Sequence, residues 1–176
     1  MLLVAVVVYV GLRFTIQTYV VHGPSMEPNF IENEWLIVNK LAYKLGEVHR
    51  GDIVVFYPPI SPDTRFIKRI IGLPGESVEV KNGKVYVYEM DGTVITLDEP
   101  YIAQPASRNS VKRTIPEGQY FVMGDNRNNS EDSRDGWYAA GEKIVGKAWL
   151  TIWPFSRWGT APNFIVQGQT VTVPAN

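Results

Sequence analysis

Apolar residues fall in short runs along most of the chain, separated by polar, glycine-bearing or proline-bearing breaks. The first run is the exception. Residues 1–12 (MLLVAVVVYVGL) carry no charge, and Arg13 then opens a more mixed stretch, 14–21 (FTIQTYVV). Twelve residues are fewer than the roughly 20 that a membrane-crossing helix needs. The run has the length of the apolar part of a cleavable signal peptide, but it lacks a basic start and no small-x-small cleavage pattern follows. Its valines also suit a buried strand. A membrane anchor over 1–16 accounts best for the pattern, with Arg13 reaching to the interface. An anchor this short leaves room for first turns missing from this chain. Its orientation is not legible from charge, because no Lys or Arg precedes the run.

Beyond residue 21 the period is that of strands. Runs at 35–38 (WLIV), 53–57 (IVVFY), 66–71, 77–80, 119–123 and 145–153 are bounded by turn-forming residues. Residues 84–89 (KVYVYE) alternate, and Asp91-Gly92 offers a tight turn into 93–97 (TVITL); Asn82-Gly83 offers a second hairpin turn. Helical spacing shows only at 39–45. Residues 100–116 read as a long surface loop. The expected fold is mainly β, with curled antiparallel sheets forming small barrel-like or sandwich units behind an N-terminal membrane helix. The expected organisation is an anchor (1–16), a β-rich domain (17–160) and a polar, loosely held tail (161–176).

Composition narrows the chemistry. With 176 residues, 45% hydrophobic and 20% charged, the chain suits one folded domain. A net charge of -1 gives no bulk electrostatic case for nucleic acid. The absence of cysteine excludes disulfides, thiol nucleophiles and Cys-ligated metals, and two histidines are too few for a His-rich metal site.

Three polar islands interrupt the strands. In the first, Ser25 stands between Pro24 and Pro28, in a rigid turn that can hold a hydroxyl still; an ordinary loop leaving a membrane has the same look. In the second, Lys68 and Arg69 point to opposite faces of a strand, so one shares a face with apolar neighbours, and the pattern does not say which. A lysine among Phe and Ile side chains loses its charge more easily and can act as a base, whereas an exposed edge-strand lysine guards against aggregation. The third, 124–134 (GDNRNNSEDSR), is dense in residues that bond their own backbone. Arg127 and Ser130 stand where a calcium loop needs an oxygen ligand and a glycine, so calcium is rejected. A plain polar loop and a scaffold that holds Ser130 both remain open. A nucleophile elbow fails at Glu27, and His22 is poorly placed to reach Ser25, while His49 remains available as a base.

Together the islands resemble type I signal peptidase, the membrane-anchored Ser–Lys protease family. The likeness runs from about Phe14 to Trp158. It consists of an anchor, SMEP at 25–28, GDIVVF at 51–56, KRIIGLPG at 68–75 and GDNRNNSEDSR at 124–134, in that order. The resemblance implies that Ser25 is the nucleophile and Lys68 the general base. It implies that Ser130 hydrogen-bonds the Lys68 amine, and that Asp125, Asp132, Arg134 and Arg69 form an ionic scaffold. It also implies shallow pockets lined by Tyr19, Val21, Leu36, Val55 and Ile67, which take small residues before the cut. The substrate segment adds as a strand near 19–22 and 63–67. The implied partners are exported preproteins and the lipid bilayer, with the catalytic domain on the extracytoplasmic side, no metal or cofactor and no nucleic acid; the oligomeric state is not legible in the sequence, with a monomer favoured.

Gly23 stands where many family members carry a serine that helps bind the oxyanion, so a side-chain donor is missing there. Pro24 and Asn29 also depart from the pattern and read as variation within the family. Two other functions compete: a membrane-tethered β-domain that binds exported peptides without cutting them, and a related Ser–Lys protease that cuts itself.

Overall fold

The computed structural model describes residues 15–164 and 168–170. The expected anchor lies outside the described residues except for Thr15 and Ile16, and Ile16 already opens the first strand. In chain order the strands are β1 (Ile16–Val20), β2 (Trp35–Asn39), β3 (Ile53–Phe56), β4 (Phe66–Gly72), β5 (Ser77–Lys81), β6 (Lys84–Tyr88) and β7 (Val94–Leu97). They continue with β8 (Ser110–Thr114), β9 (Gln119–Met123), β10 (Ala139–Ala140), β11 (Ile144–Trp153), β12 (Gly159–Thr160) and β13 (Gly168–Thr170). A short helix, α1 (Ala42–Leu45), falls inside the segment with helical spacing.

The strands form two antiparallel sheets. The larger runs β1-β2-β11-β3-β4-β9-β10, with β12 also on β11; the smaller runs β13-β7-β6-β5-β8. β11 bends the larger sheet. It pairs with β3 through Ile144, Gly146 and Lys147 and with β2 from Lys147 to Trp153, with register shifts in each pairing. Such bulges curl a strand and raise its twist. All four residues of β3 are buried, as a continuous apolar run requires when both faces are covered. In the smaller sheet β5 and β6 alternate buried and exposed positions. Asn82 and Gly83 join them, both at positive φ (51° and 78°), the geometry that a two-residue hairpin turn demands.

Three apolar clusters fill the fold. One lies between β1, β2, β3 and the segment around Met26 and Phe30, one under the smaller sheet, and one around Phe56, Ile70, Val122 and Trp137.

One expectation is corrected. The stretch 100–116 is not all loop, because Ser110–Thr114 forms β8 and pairs with β5 (Ser77↔Thr114, Val78↔Arg113, Val80↔Ser110). Its sequence, SVKRT, lacks apolar alternation because it lies at the outer edge of its sheet, where hydrogen bonding rather than burial makes the strand. Of the expected tail, residues 161–164 and 168–170 are described, and these make contacts with the sheets. Ala161 is buried, Asn163 Oδ1 accepts the Ile53 N–H at 2.8 Å, and β13 pairs with β7.

Two strand edges flank the turn that carries Ser25. β1 has one partner, β2, and β9 covers β4 only from Arg69 to Gly72, so among the described residues the outer edge of 66–68 stays unpaired.

Candidate active site

The Ser25 turn is held from three sides. Met26 and Phe30 are both fully buried in the first apolar cluster, each worth about 1.5–3 kcal/mol of transfer free energy. The Val21 N–H donates to Glu34 O at 2.8 Å, which fixes the chain as it leaves β1. The 124–134 loop clamps the turn itself: the Asn126 N–H donates to Ser25 O at 3.0 Å and Asn126 Nδ2 to Pro24 O at 3.1 Å. Gly124 permits this approach. A Cβ there would stand 2.4 Å from the Ser25 carbonyl oxygen and 2.3 Å from Ser130 Oγ, distances that no side chain tolerates.

Lys68 comes to the same point from β4. Its Nζ lies 2.7 Å from Ser25 Oγ, and the residue is only 4% exposed. Lys68 forms no salt bridge among the described residues. Burial lowers its pKa from 10.5 to about 8. The more distant carboxylates of Asp132, Glu131 and Asp125 oppose that shift, and Arg134 adds to it. The Phe66 ring centroid lies 5.2 Å from the amine and supplies part of its apolar wall.

The neighbouring cation is treated differently. Arg69 is fully buried and bidentate to Asp125, with Nε to Oδ1 at 2.8 Å and Nη2 to Oδ2 at 2.7 Å. Its Nη1 donates to Gly51 O and Pro162 O, and its guanidinium lies 4.1 Å from the Tyr101 ring centroid. Both members of the Lys–Arg pair are therefore buried, where alternation alone required one. Asp132 holds Arg134 through two bonds of 2.8 Å, accepts the Gly124 N–H at 3.1 Å and caps the 3-10 turn Ser133–Asp135. Two buried ion pairs thus brace the loop that clamps Ser25.

Ser130 corrects an expectation. Its Oγ is buried but makes no hydrogen bond among the described residues, so the expected bond to the Lys68 amine is not formed. Of the expected pocket residues, Tyr19 and Ile67 line a cleft of about 210 Å³ together with His22, Gly23, Ser25 and Lys68. Val21, Leu36 and Val55 lie behind it in the first apolar cluster. Tyr19 also ties the two strand edges together, its hydroxyl donating to Arg65 O at 3.1 Å.

Two contributors were not legible in the sequence. Asn29 Nδ2 donates to Asp125 Oδ2 and to Tyr101 O, both at 2.8 Å, which makes it a brace for the loop rather than a neutral variation. Glu99 pairs with the buried Arg127, which raises the arginine's pKa against the effect of burial, and Arg127 Nε donates to Gly124 O at 3.2 Å. Nothing in the local sequence connects Glu99 to Arg127, 28 residues on, and the carboxylates beside Arg127 in its own loop offer nearer candidate partners.

Residues 1–153 match the family described as "Signal peptidase, peptidase S26". The chain is 42% identical over 161 residues to the probable signal peptidase I-2 of Synechocystis, covering 88% of this chain and 72% of the relative. It is 40% identical over 172 residues to the probable signal peptidase I-1 of the same organism, covering 93% and 85%. It is 41% identical over 157 residues to a signal peptidase I of Bacillus amyloliquefaciens, covering 81% and 77%.

Proposed function

The chain belongs to the signal peptidase family, peptidase S26, and is a serine endopeptidase that removes signal peptides from exported preproteins; on that premise we propose that Ser25 is its nucleophile and Lys68 its general base. One observation carries the assignment: a buried amine that forms no ion pair among the described residues, 2.7 Å from the hydroxyl it is to activate.

The chemistry follows from that contact. With a pKa near 8, about a tenth of Lys68 is neutral at pH 7, against far less than a hundredth for a solvated lysine. The neutral Nζ accepts the Ser25 hydroxyl proton while Oγ attacks the scissile carbonyl. The resulting ammonium returns the proton to the leaving amine, and Lys68 then takes a proton from the water that hydrolyses the acyl-enzyme. The Ser25 N–H makes no hydrogen bond among the described residues and is available to the oxyanion. Gly23 contributes no side-chain donor, so the backbone carries this role.

The residues before the cut add as a strand between 19–22 and 63–67, where both edges lack a partner on the cleft side among the described residues. Tyr19 and Ile67 contact small side chains of that segment directly, and Val21, Leu36 and Val55 form the packed floor that keeps the pockets shallow. Asp125, Asp132, Arg134 and Arg69 hold the dyad in register, with Ser130 in a supporting place on the same loop.

The apolar residues that precede β1 anchor the enzyme in the bilayer, with the catalytic domain on the extracytoplasmic face. An exposed aromatic hollow supports this placement: Trp35, Trp153, Phe155 and Trp158, each about half to two-thirds exposed, surround about 450 Å³. Such side chains favour the membrane–water boundary. Val20 pairs with Trp35, so the hollow and the cleft share one end of the sheet.

The test is cleavage of a preprotein in detergent, with the product amino terminus sequenced and the acyl-enzyme sought by mass spectrometry. The native chain gives a single cut and an adduct on Ser25, and Ser25→Ala gives neither. Full cleavage by Ser25→Ala, or tight binding with no cut by the native chain, overturns the assignment.

A further inference from the structure

The cleft around the dyad does not end at Lys68. Glu131 lines it, and Glu131 also lines a second, more polar cavity of about 600 Å³ together with Ser130, Asn128, Arg127, Arg108 and Asp135. The two cavities share no residue of β1 or β4 and meet at Glu131, next to Ser130 on the loop that clamps Ser25.

A peptide attacked by Ser25 has two halves. The strand edges of β1 and β4 take the half before the cut, so the half after it leaves the dyad along another wall. The second cavity opens from the cleft there, and its amide side chain and charged groups suit an extended, solvated backbone. Its charges are unevenly satisfied. Arg108 is paired with Asp135 at 2.7 Å, and Arg127 with Glu99 through Nη1 at 2.8 Å. Glu131 is exposed and has no ion-pair partner among the described residues. The uncompensated charge at the mouth is therefore negative.

Resting on the protease reading above, we propose that this cavity binds the first residues after the cut, and that Glu131 sets a preference there for basic over acidic side chains. An exposed carboxylate acts through water and salt, so the preference is modest, about three- to tenfold at low ionic strength.

Two peptides that are identical through the cut and carry Lys or Asp at the second residue after it test the proposal. The readout is the ratio of their kcat/KM values. Both peptides meet the same dyad, so any effect of Glu131 on Lys68 cancels in that ratio. The native enzyme favours the lysine peptide, added salt compresses the ratio, Glu131→Gln brings it near one, and Glu131→Lys inverts it. An unchanged ratio across the three enzymes overturns the role of Glu131. Occupancy is tested separately, by a peptide with five residues after the cut against one with a single residue. The longer peptide gains about tenfold in kcat/KM through remote binding energy, and equal rates overturn the cavity's role. If the native enzyme cuts none of these peptides, the protease reading falls and the inference with it.

Discussion

Lys68 and Arg69 are consecutive residues on one strand, both cationic and both buried, and their surroundings are opposite. The Arg69 side of β4 is well supplied: a carboxylate grips the guanidinium at two points, two backbone carbonyls accept from Nη1, and an aromatic ring covers its face. The Lys68 side offers one hydroxyl, one phenyl ring and, among the described residues, no ion pair; the carboxylates of Asp132, Glu131 and Asp125 act on it only from a distance. A charge that is buried and paired becomes structure. A charge that is buried and left unpaired becomes a reagent, because its proton is held loosely enough to leave. The difference in amino-acid type fits the difference in setting, since guanidinium keeps its proton in any protein and ammonium does not.

The largest expected effect comes from erasing that difference. Lys68→Arg retains charge and length but cannot accept a proton, and it is expected to lose about 10⁴-fold or more in kcat/KM while the protein stays folded. Preprotein cleavage, with circular dichroism as the fold control, checks this.

The converse change falls on stability. Asp125→Asn leaves Arg69 buried with half of its partner, and is expected to cost about 3–5 kcal/mol in urea unfolding. The double variant Arg69→Met with Asp125→Leu recovers most of that loss, because the penalty is for the stranded charge and not for the missing pair. A double variant no more stable than Asp125→Asn would contradict this account.

Lys68→Met is expected to move stability the other way. The native lysine has its pKa lowered from 10.5 to about 8, so below pH 8 the folded state carries an ammonium it solvates poorly, at about 3 kcal/mol. Between pH 8 and 10.5 the unfolded chain binds more protons than the folded one, and native stability rises with pH. The methionine variant is therefore an inactive protein stabilised at pH 7, with an advantage that fades toward pH 10.5. Parallel unfolding curves at pH 7 and pH 10 give the sign.

The smallest effect is kinetic. The kcat/KM of the native enzyme is expected to rise about tenfold per pH unit below neutrality and to level near pH 8, as the neutral amine becomes the dominant form. A flat profile from pH 6 to pH 9 would separate the activity from Lys68.

Most of the strands were legible because each is a local pattern. The hairpin through Asn82-Gly83 is written in a handful of consecutive residues, and so is the buried run of β3. β8 was not, since an exposed edge strand of Ser, Lys, Arg and Thr is defined by its partner β5 and not by its own side chains. The same division runs through the site. Ser25, Lys68 and the 124–134 loop stand out as polar islands among apolar strands. Asn29 and Glu99 do not, since each acts on a residue many positions away, Asp125 and Arg127 respectively.

The order of its polar islands, through the family they resemble, and its strand-forming periods were enough by themselves to place this chain among mainly β signal peptidases. Folding alone decided that both cations of β4 are buried, that one is neutralised and the other is not, and that Ser130 Oγ has no hydrogen-bond partner among the described residues. Those outcomes depend on which carboxylate, carbonyl or hydroxyl arrives from a distant strand. Local sequence sets backbone preference and burial, but the pairing of a buried charge is a long-range contact that only the closed sheets create.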